Sequence, residues 1–170
     1  GLVRKKNVLG VMMQCVFLMG LMTVIWALWG YTLSFGGDEI PIEQRNPWIG
    51  NADYVAMQGV QLTWDEEKKE HVVPMYGDYP RLVHMLFQGM FFIITPALIC
   101  GAFAERMKFS AMLWFTVVWS LLSYFPICHM AWGGGLFHDW GVLDFAGGTV
   151  VHINAGVAGL VACIFLGMRI

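Results

Sequence analysis

The sequence predicts an all-α membrane protein, a multi-span helical bundle, and three observations carry that prediction. Hydrophobic residues make up 58% of the 170 and charged residues only 13%, about half the charged share of a soluble domain; mean hydropathy is +0.61. The apolar residues gather into four segments, each long enough to cross about 30 Å of hydrocarbon as a helix rising roughly 1.5 Å per residue. The charges fall in the gaps between segments, with bases and acids sorted into alternate gaps. A net charge of −2 gives no basis for a nucleic-acid partner. Cys15, Cys100, Cys128 and Cys163 all lie inside apolar segments without CxxC or CxxH spacing, so they read as small hydrophobes and not as disulfides or metal ligands.

The first span covers about 8–35, behind the basic cluster Arg4-Lys5-Lys6, with Gln14 its one strongly polar interruption. Trp26, Trp29 and Tyr31 gather at its far end, as an interfacial aromatic belt would. Gly36-Gly37 breaks the helix, and 37–80 follows as an aqueous loop, acidic on balance, with a solvated charge run at 65–70. The second span covers about 82–104 and contains Pro96, which membrane helices tolerate. A short basic turn, Ala104-Glu105-Arg106-Met107-Lys108, leads to the third span at about 109–132, with Pro126 near its far end. Gly133-Gly134-Gly135 opens a short loop holding His138 and Asp139.

The fourth span, about 144–168, is the most informative. Asp144 stands where its carboxylate can accept from the first free N–H groups of a helix. From Phe145 to Met168 there is no formal charge, and the single imidazole, His152, lies eight residues, about 12 Å, below the cap. Gly148, Ala155, Gly156 and Gly159 surround it at helical spacing, leaving its face almost bare of side-chain volume. Such a face suits close helix packing; it equally suits a narrow passage, because polar groups inside a membrane face a cavity or a partner.

Orientation follows from the bases. Arg4, Lys5, Lys6, Arg106, Lys108 and Arg169 share one side with Glu105 as the only acid, while the other side holds eleven acids against four bases. The positive-inside rule places the first side in the cytoplasm of a cell membrane and the loop 37–80 outside. His152 then falls near mid-bilayer. Gly1 onward lacks the apolar core and cleavage site of a signal peptide, and the segment is expected to start and stop within a longer protein.

Four sets of residues can carry chemistry. Phe87 and Phe91, at i and i+4, share a face of the second span, and Trp132 ends the third. Rings at a membrane surface serve as anchors, or, beside an acidic vestibule, present their π faces to a small cation. His84, His129 and His152 raise a membrane haem or metal enzyme, but no H-x-x-E or H-x-x-x-H spacing supports it. Glu105-Arg106 closes a helix, and its ordinary reading is a capping or local ion-pair role. No nucleotide loop, nucleophile elbow or paired buried carboxylates occur, and no cofactor or enzymatic activity is expected.

Asp144-Phe-Ala-Gly-Gly-Thr-Val-Val-His152-Ile-Asn-Ala-Gly closely resembles the signature segment of the ammonium transporter (Amt/Mep/Rh) family. The likeness extends in order through Arg4-Lys-Lys-Asn-Val-Leu, Trp29-Gly-Tyr-Thr-Leu-Ser-Phe-Gly, Phe87-Gln-Gly-Met-Phe91, Ala104-Glu-Arg, Phe109-Ser-Ala and His129-Met-Ala-Trp132-Gly-Gly-Gly. It implies an eleven-helix fold of two inverted halves assembled as a homotrimer, of which this chain supplies helices two to five. It also implies ammonium or ammonia as substrate, the lipid bilayer as setting and a cytoplasmic regulatory protein of the PII type as partner. By position, Phe87 and Trp132 resemble the external recruiting aromatics, Phe91 the first-half member of the phenylalanine gate, Asp144 the essential aspartate below the vestibule, and His152 the first of two paired pore histidines. The alternative on the same scaffold is an ammonium sensor. The loop 37–80 departs from the family pattern, above all around 64–79, which receives no role.

Overall fold

The computed structural model describes residues 3–67 and 69–168; Gly1, Leu2, Lys68, Arg169 and Ile170 lie outside the described residues, so the places assigned above to Lys68 and Arg169 lie outside them too. Among the described residues four helices are long and apolar enough to cross a membrane: α1 (Lys5–Phe35), α2 (Arg81–Phe103), α3 (Phe109–Asp139) and α4 (Gly148–Leu166). α3 runs to Trp132, bends at residues 133–135 and closes with the short turn Leu136–Asp139.

The helices alternate in direction, which two sets of contacts establish. At one end Asn7 Nδ2 donates to Glu105 Oε1 at 2.5 Å, and Arg106 donates to the carbonyl of Gly167. At the other, Arg81 Nη1 meets Asp38 Oδ2 at 2.7 Å and Trp132 Nε1 donates to the Asp144 carbonyl at 2.8 Å. The bases Arg4, Lys5, Lys6, Arg106 and Lys108 therefore share one end of the bundle, and the long loop lies at the other.

Packing holds the bundle, since apolar side chains gain little by leaving lipid for one another and close contact and hydrogen bonds must decide which helices associate. Trp26 is the centre of the core. Its ring lies 5.4 Å from Phe92 on α2, 5.9 Å from Tyr31 and 6.3 Å from Phe125 on α3, and its Nε1 donates to the Met85 carbonyl at 2.9 Å. This corrects the interfacial belt expected at the end of α1: Trp26 is 4% exposed and Tyr31 1%. The physical reason is that Met85 and His84 supply the polar partners that a ring at the membrane surface takes from water.

Three of the four spans contain a π-helical turn, at Trp26–Gly30, Ser120–Tyr124 and Gly148–Ile153. Each widens the helix by a residue and shifts the side chains after it around the axis. α4 also starts later than hydropathy suggests. Residues 144–147 are not helical, Gly147 has φ +87°, and the helix begins at Gly148. A Cβ on Gly147 would meet Val151 Cγ2 at 2.9 Å, so the backbone and the space both call for glycine at that position.

The loop 37–80 is organised. Thr32 Oγ1 donates to the Asn51 carbonyl at 2.8 Å and accepts from Tyr54 N at 3.0 Å, which pins the first half of the loop onto the end of α1. Two small antiparallel hairpins follow: β1 (Thr63–Asp65) with β2 (Glu70–Val72), and β3 (Met75–Tyr76) with β4 (Tyr79–Pro80). They are additions to an otherwise helical fold.

Candidate functional site

The site is built around the start of α4. Asp144 Oδ1 accepts from Gly147 N and Gly148 N, both at 2.7 Å, and Oδ2 from Thr149 N and Val150 N, both at 2.9 Å. One carboxylate thus satisfies four N–H groups that a helix start leaves without partners, and its charge sits against the positive end of the helix. The bent approach through residues 144–147 makes this reach available. The Asp144 carbonyl accepts the Trp132 indole N–H, so the same residue sets the orientation of that ring.

Trp132 in turn packs on the aromatic face of α2. Phe91 and Trp132 have centroids 5.3 Å apart, and Phe87 stands edge-on to Phe91, also at 5.3 Å with planes at 88°. Phe87 is 60% exposed while Phe91 and Trp132 are half-buried, so the series descends from the surface inward. The three rings and Asp144 line one cleft of about 570 Å³, together with His84, Gln88, Tyr76 and Tyr79. Asp144 is the only acid in that lining and its oxygens are occupied by N–H groups. The surface offered to a ligand is therefore mainly π faces and ring edges, which attract a small cation without binding it through a carboxylate.

His152 does not line this cleft. It lies in the π-helical turn, where Val151 N and His152 N both donate to the Gly147 carbonyl at 3.0 Å. Its ring is exposed on the surface of the four-helix body. The small residues around it divide by face: Gly159 packs against Ala102 of α2, where a Cβ would lie 3.5 Å from that methyl, while Gly156 has open space. Of the two uses considered for the stripe, close packing is thus present at Gly159, while Gly156 faces open surface. The continuous eight-residue helical descent expected from Asp144 to His152 is absent: residues 144–147 are not helical and the helix starts at Gly148. Asn154 Oδ1 accepts from Ser123 Oγ at 2.8 Å, and Ser123 is nine residues inward from Trp132, about 13 Å along α3. That contact sets Asn154, two residues after His152, well along the bundle from the Trp132 end.

The other two histidines of interest hold the fold together. His129 is 1% exposed, with Nδ1 3.0 Å from the Ser34 carbonyl and Nε2 2.8 Å from that of Asn46. His84 bonds the Tyr31 hydroxyl through Nδ1 at 3.0 Å and stacks on Tyr76, with centroids 3.8 Å apart and planes at 5°. His84, His129 and His152 are thus dispersed among separate partners. Glu105 accepts from Asn7 and from Arg4 N at 3.3 Å, joining α1 to the turn after α2.

The loop contributes residues to which the sequence assigned no role. Arg81, 4% exposed, pairs with Asp38 at 2.7 Å and Glu39 at 3.3 Å, and its guanidinium lies 4.4 Å over the Tyr54 ring. Burial above all, with a hydrogen bond to Asp38 second, holds the Tyr54 phenol well above its ordinary range; burial likewise raises that of Tyr76. Both rings are therefore neutral, and Tyr76 and Tyr79 reach the cleft from the second hairpin. Alternation of aromatic and turn residues in Met75-Tyr-Gly-Asp-Tyr-Pro80 was the available signal for that hairpin.

Comparison with known proteins agrees with this architecture. The family model described as Ammonium Transporter Family matches residues 1–170. The chain is 42% identical over 173 residues to the ammonium transporter of Bacillus subtilis, covering 99% of this chain and 38% of that protein. It is 39% identical over 170 residues to ammonium transporter 1 of Dictyostelium discoideum, of which it spans 34%. The crystal structure of Saccharomyces cerevisiae Mep2 superposes with a TM-score of 0.70 at 28% identity, over 89% of this chain and 33% of that one.

Proposed function

The chain belongs to the ammonium transporter family, a group of multi-pass membrane proteins and not of enzymes, and from that premise we propose that it forms the outer vestibule and first-half pore lining of an ammonium/ammonia transporter. It spans little more than a third of the relatives it matches, so the remaining pore wall belongs to other segments. The observation that carries the reading is the aromatic series Phe87, Phe91 and Trp132, gathered in one cleft with Asp144, the residue that caps α4.

Magnitudes choose the mechanism. Stripping an isolated ion of water costs tens of kcal/mol in the Born limit and still several after relaxation, whereas a desolvated cation–π contact returns about 2 kcal/mol or more. Phe87 and Trp132 can collect ammonium at the mouth but cannot carry it bare through an apolar passage. Neutralisation is cheaper: a solution pKa of about 9 makes removal of the proton at pH 7 cost about 3 kcal/mol, at 1.36 per unit. Ammonium is therefore recruited on the rings, loses its proton near Phe91 and continues as ammonia. Asp144 takes part as the residue that holds the helix start and Trp132, and its fixed negative charge favours a cation above it. Below Phe91, the His152 imidazole hydrogen-bonds ammonia and, with a second histidine from the other half, relays the proton.

The same reading makes the protein a homotrimeric channel in the cell membrane, with the loop 37–80 external, the Arg4 end cytoplasmic and a PII-type protein as its cytoplasmic partner. The deciding experiment is uptake by the full-length protein reconstituted in liposomes. His152→Ala is expected to alter ammonium transport or its discrimination against methylammonium while the protein still folds. Unchanged uptake together with unchanged discrimination rejects the role of His152.

A further inference from the structure

From the structure we infer that the hairpin formed by β3 and β4 supplies a further substrate-contacting ring, Tyr79, at the outer rim of the cleft. The inference rests on the reading of that cleft as an ammonium vestibule. The two strands pair with Tyr76 opposite Tyr79 and Met75 opposite Pro80, around a turn in which Gly77 takes φ +57°. Arg81 N donates to the Pro74 carbonyl at 2.8 Å, which fastens the hairpin to the first residue of α2. Tyr76 then stacks flat on His84, itself held by Tyr31, so the hairpin has a fixed seat on the rim of the cleft.

The two tyrosines are not equivalent. Tyr76 is half-buried, commits one ring face to His84 and already has the Arg81 guanidinium 5.9 Å from its centroid. A second cation there would meet like charge. Tyr79 is 48% exposed, lies 6.0 Å from Tyr76 and 6.1 Å from His84 at tilted angles, and lines the cleft. Among the described residues no guanidinium lies over its ring. Its π face is thus free for a small cation entering from water, ahead of Phe87 and Trp132. Ammonium and methylammonium fit this face, since each is a small cation that the ring quadrupole attracts and neither needs an enclosing pocket.

The test compares Tyr79→Phe, which keeps the ring, with Tyr79→Leu and Tyr79→Thr, which remove it, in the full-length protein. Radiolabelled methylammonium uptake is measured against concentration, with ammonium and potassium as competitors and Trp132→Leu alongside. Loss of an exposed cation–π contact is expected to raise the half-saturation concentration roughly two- to fivefold, in both ring-less variants and with maximal rate preserved; Tyr79→Phe should match the parent. The two ring-less variants differ in size and polarity, so a folding failure of one leaves the comparison readable in the other. Parent-like half-saturation in the ring-less variants, with Trp132→Leu raised, overturns the role of Tyr79 and leaves the vestibule standing. A protein whose uptake neither saturates nor responds to ammonium and to Trp132→Leu overturns the vestibule reading itself.

Discussion

At the scale of single residues, Asp144 shows why a cap in a membrane protein is worth more than its place in a sequence suggests. A helix cap satisfies one or two donors and is worth about 1 kcal/mol, but here each carboxylate oxygen takes two N–H groups. Asp144→Ala leaves four donors without an acceptor and is expected to lower stability by at least about 2 kcal/mol. Asp144→Asn preserves one oxygen and turns an amide N–H toward the other pair of donors, so it should fall nearer to Ala than to the parent. Thermal unfolding of the purified full-length protein in detergent measures both; a parent-like midpoint for Asp144→Ala would contradict the capping account. Gly147→Ala belongs at the same scale: a left-handed φ and a contact with Val151 predict a loss of about 1–2 kcal/mol in the same assay. Trp132→Leu removes an indole bonded to the Asp144 carbonyl and a ring packed on Phe91, and should weaken discrimination of ammonium from potassium in competition uptake.

At the scale of elements, the long loop is a structured cover whose two ends are clasped by one buried ion pair. Asp38 follows α1 and Arg81 opens α2, and their contact closes a loop of more than forty residues over that end of the bundle. Removing one partner of a buried pair is costly because the other charge remains without compensation. Arg81→Met is expected to cost about 3 kcal/mol, at the lower end for such pairs because Asp38 is 15% exposed. The loss should be local, seen as faster amide exchange and protease cleavage in residues 63–80, and the double variant Arg81→Met with Asp38→Leu should recover part of it. Unchanged exchange in the hairpins would show that Thr32 and Asn51 alone retain the loop. The short span α4 works by a related economy of contacts, because Gly159 allows α2 to approach while Gly156 leaves the adjoining face open.

At the scale of the whole molecule, the sorting of charge has a consequence that labelling can measure. With Arg4, Lys108 and Glu105 at one end and Glu67 on the loop at the other, Glu67→Cys should react with a membrane-impermeant thiol reagent in intact cells. Lys108→Cys should react only after permeabilisation. The native cysteines lie half-buried or buried within the spans, which keeps the background low. The reverse pattern would invert the orientation read from the bases.

The four spans, their alternation and the family resemblance could be read without coordinates, because transfer of a segment into lipid depends on the sum of its own residues and charge bias acts loop by loop. Phe87, Phe91, Trp132, Asp144 and His152 could be singled out from the sequence mainly through the family resemblance; that the first four share one cleft and His152 lies apart from it only the folded chain shows. Other features depended on contacts between distant segments. Trp26 and Tyr31 left the membrane surface for the core because Met85 and His84 met them from α2. Tyr76 and Tyr79 joined the cleft because His84 and Arg81 seat the hairpin that carries them. The late start of α4 arose from a carboxylate reaching forward to N–H groups and a carbonyl held by Trp132. Local patterns fix which segments prefer lipid, since that preference is a property of each residue; which faces then touch is decided by shape and hydrogen bonding across the bundle, and only the folded arrangement contains those terms.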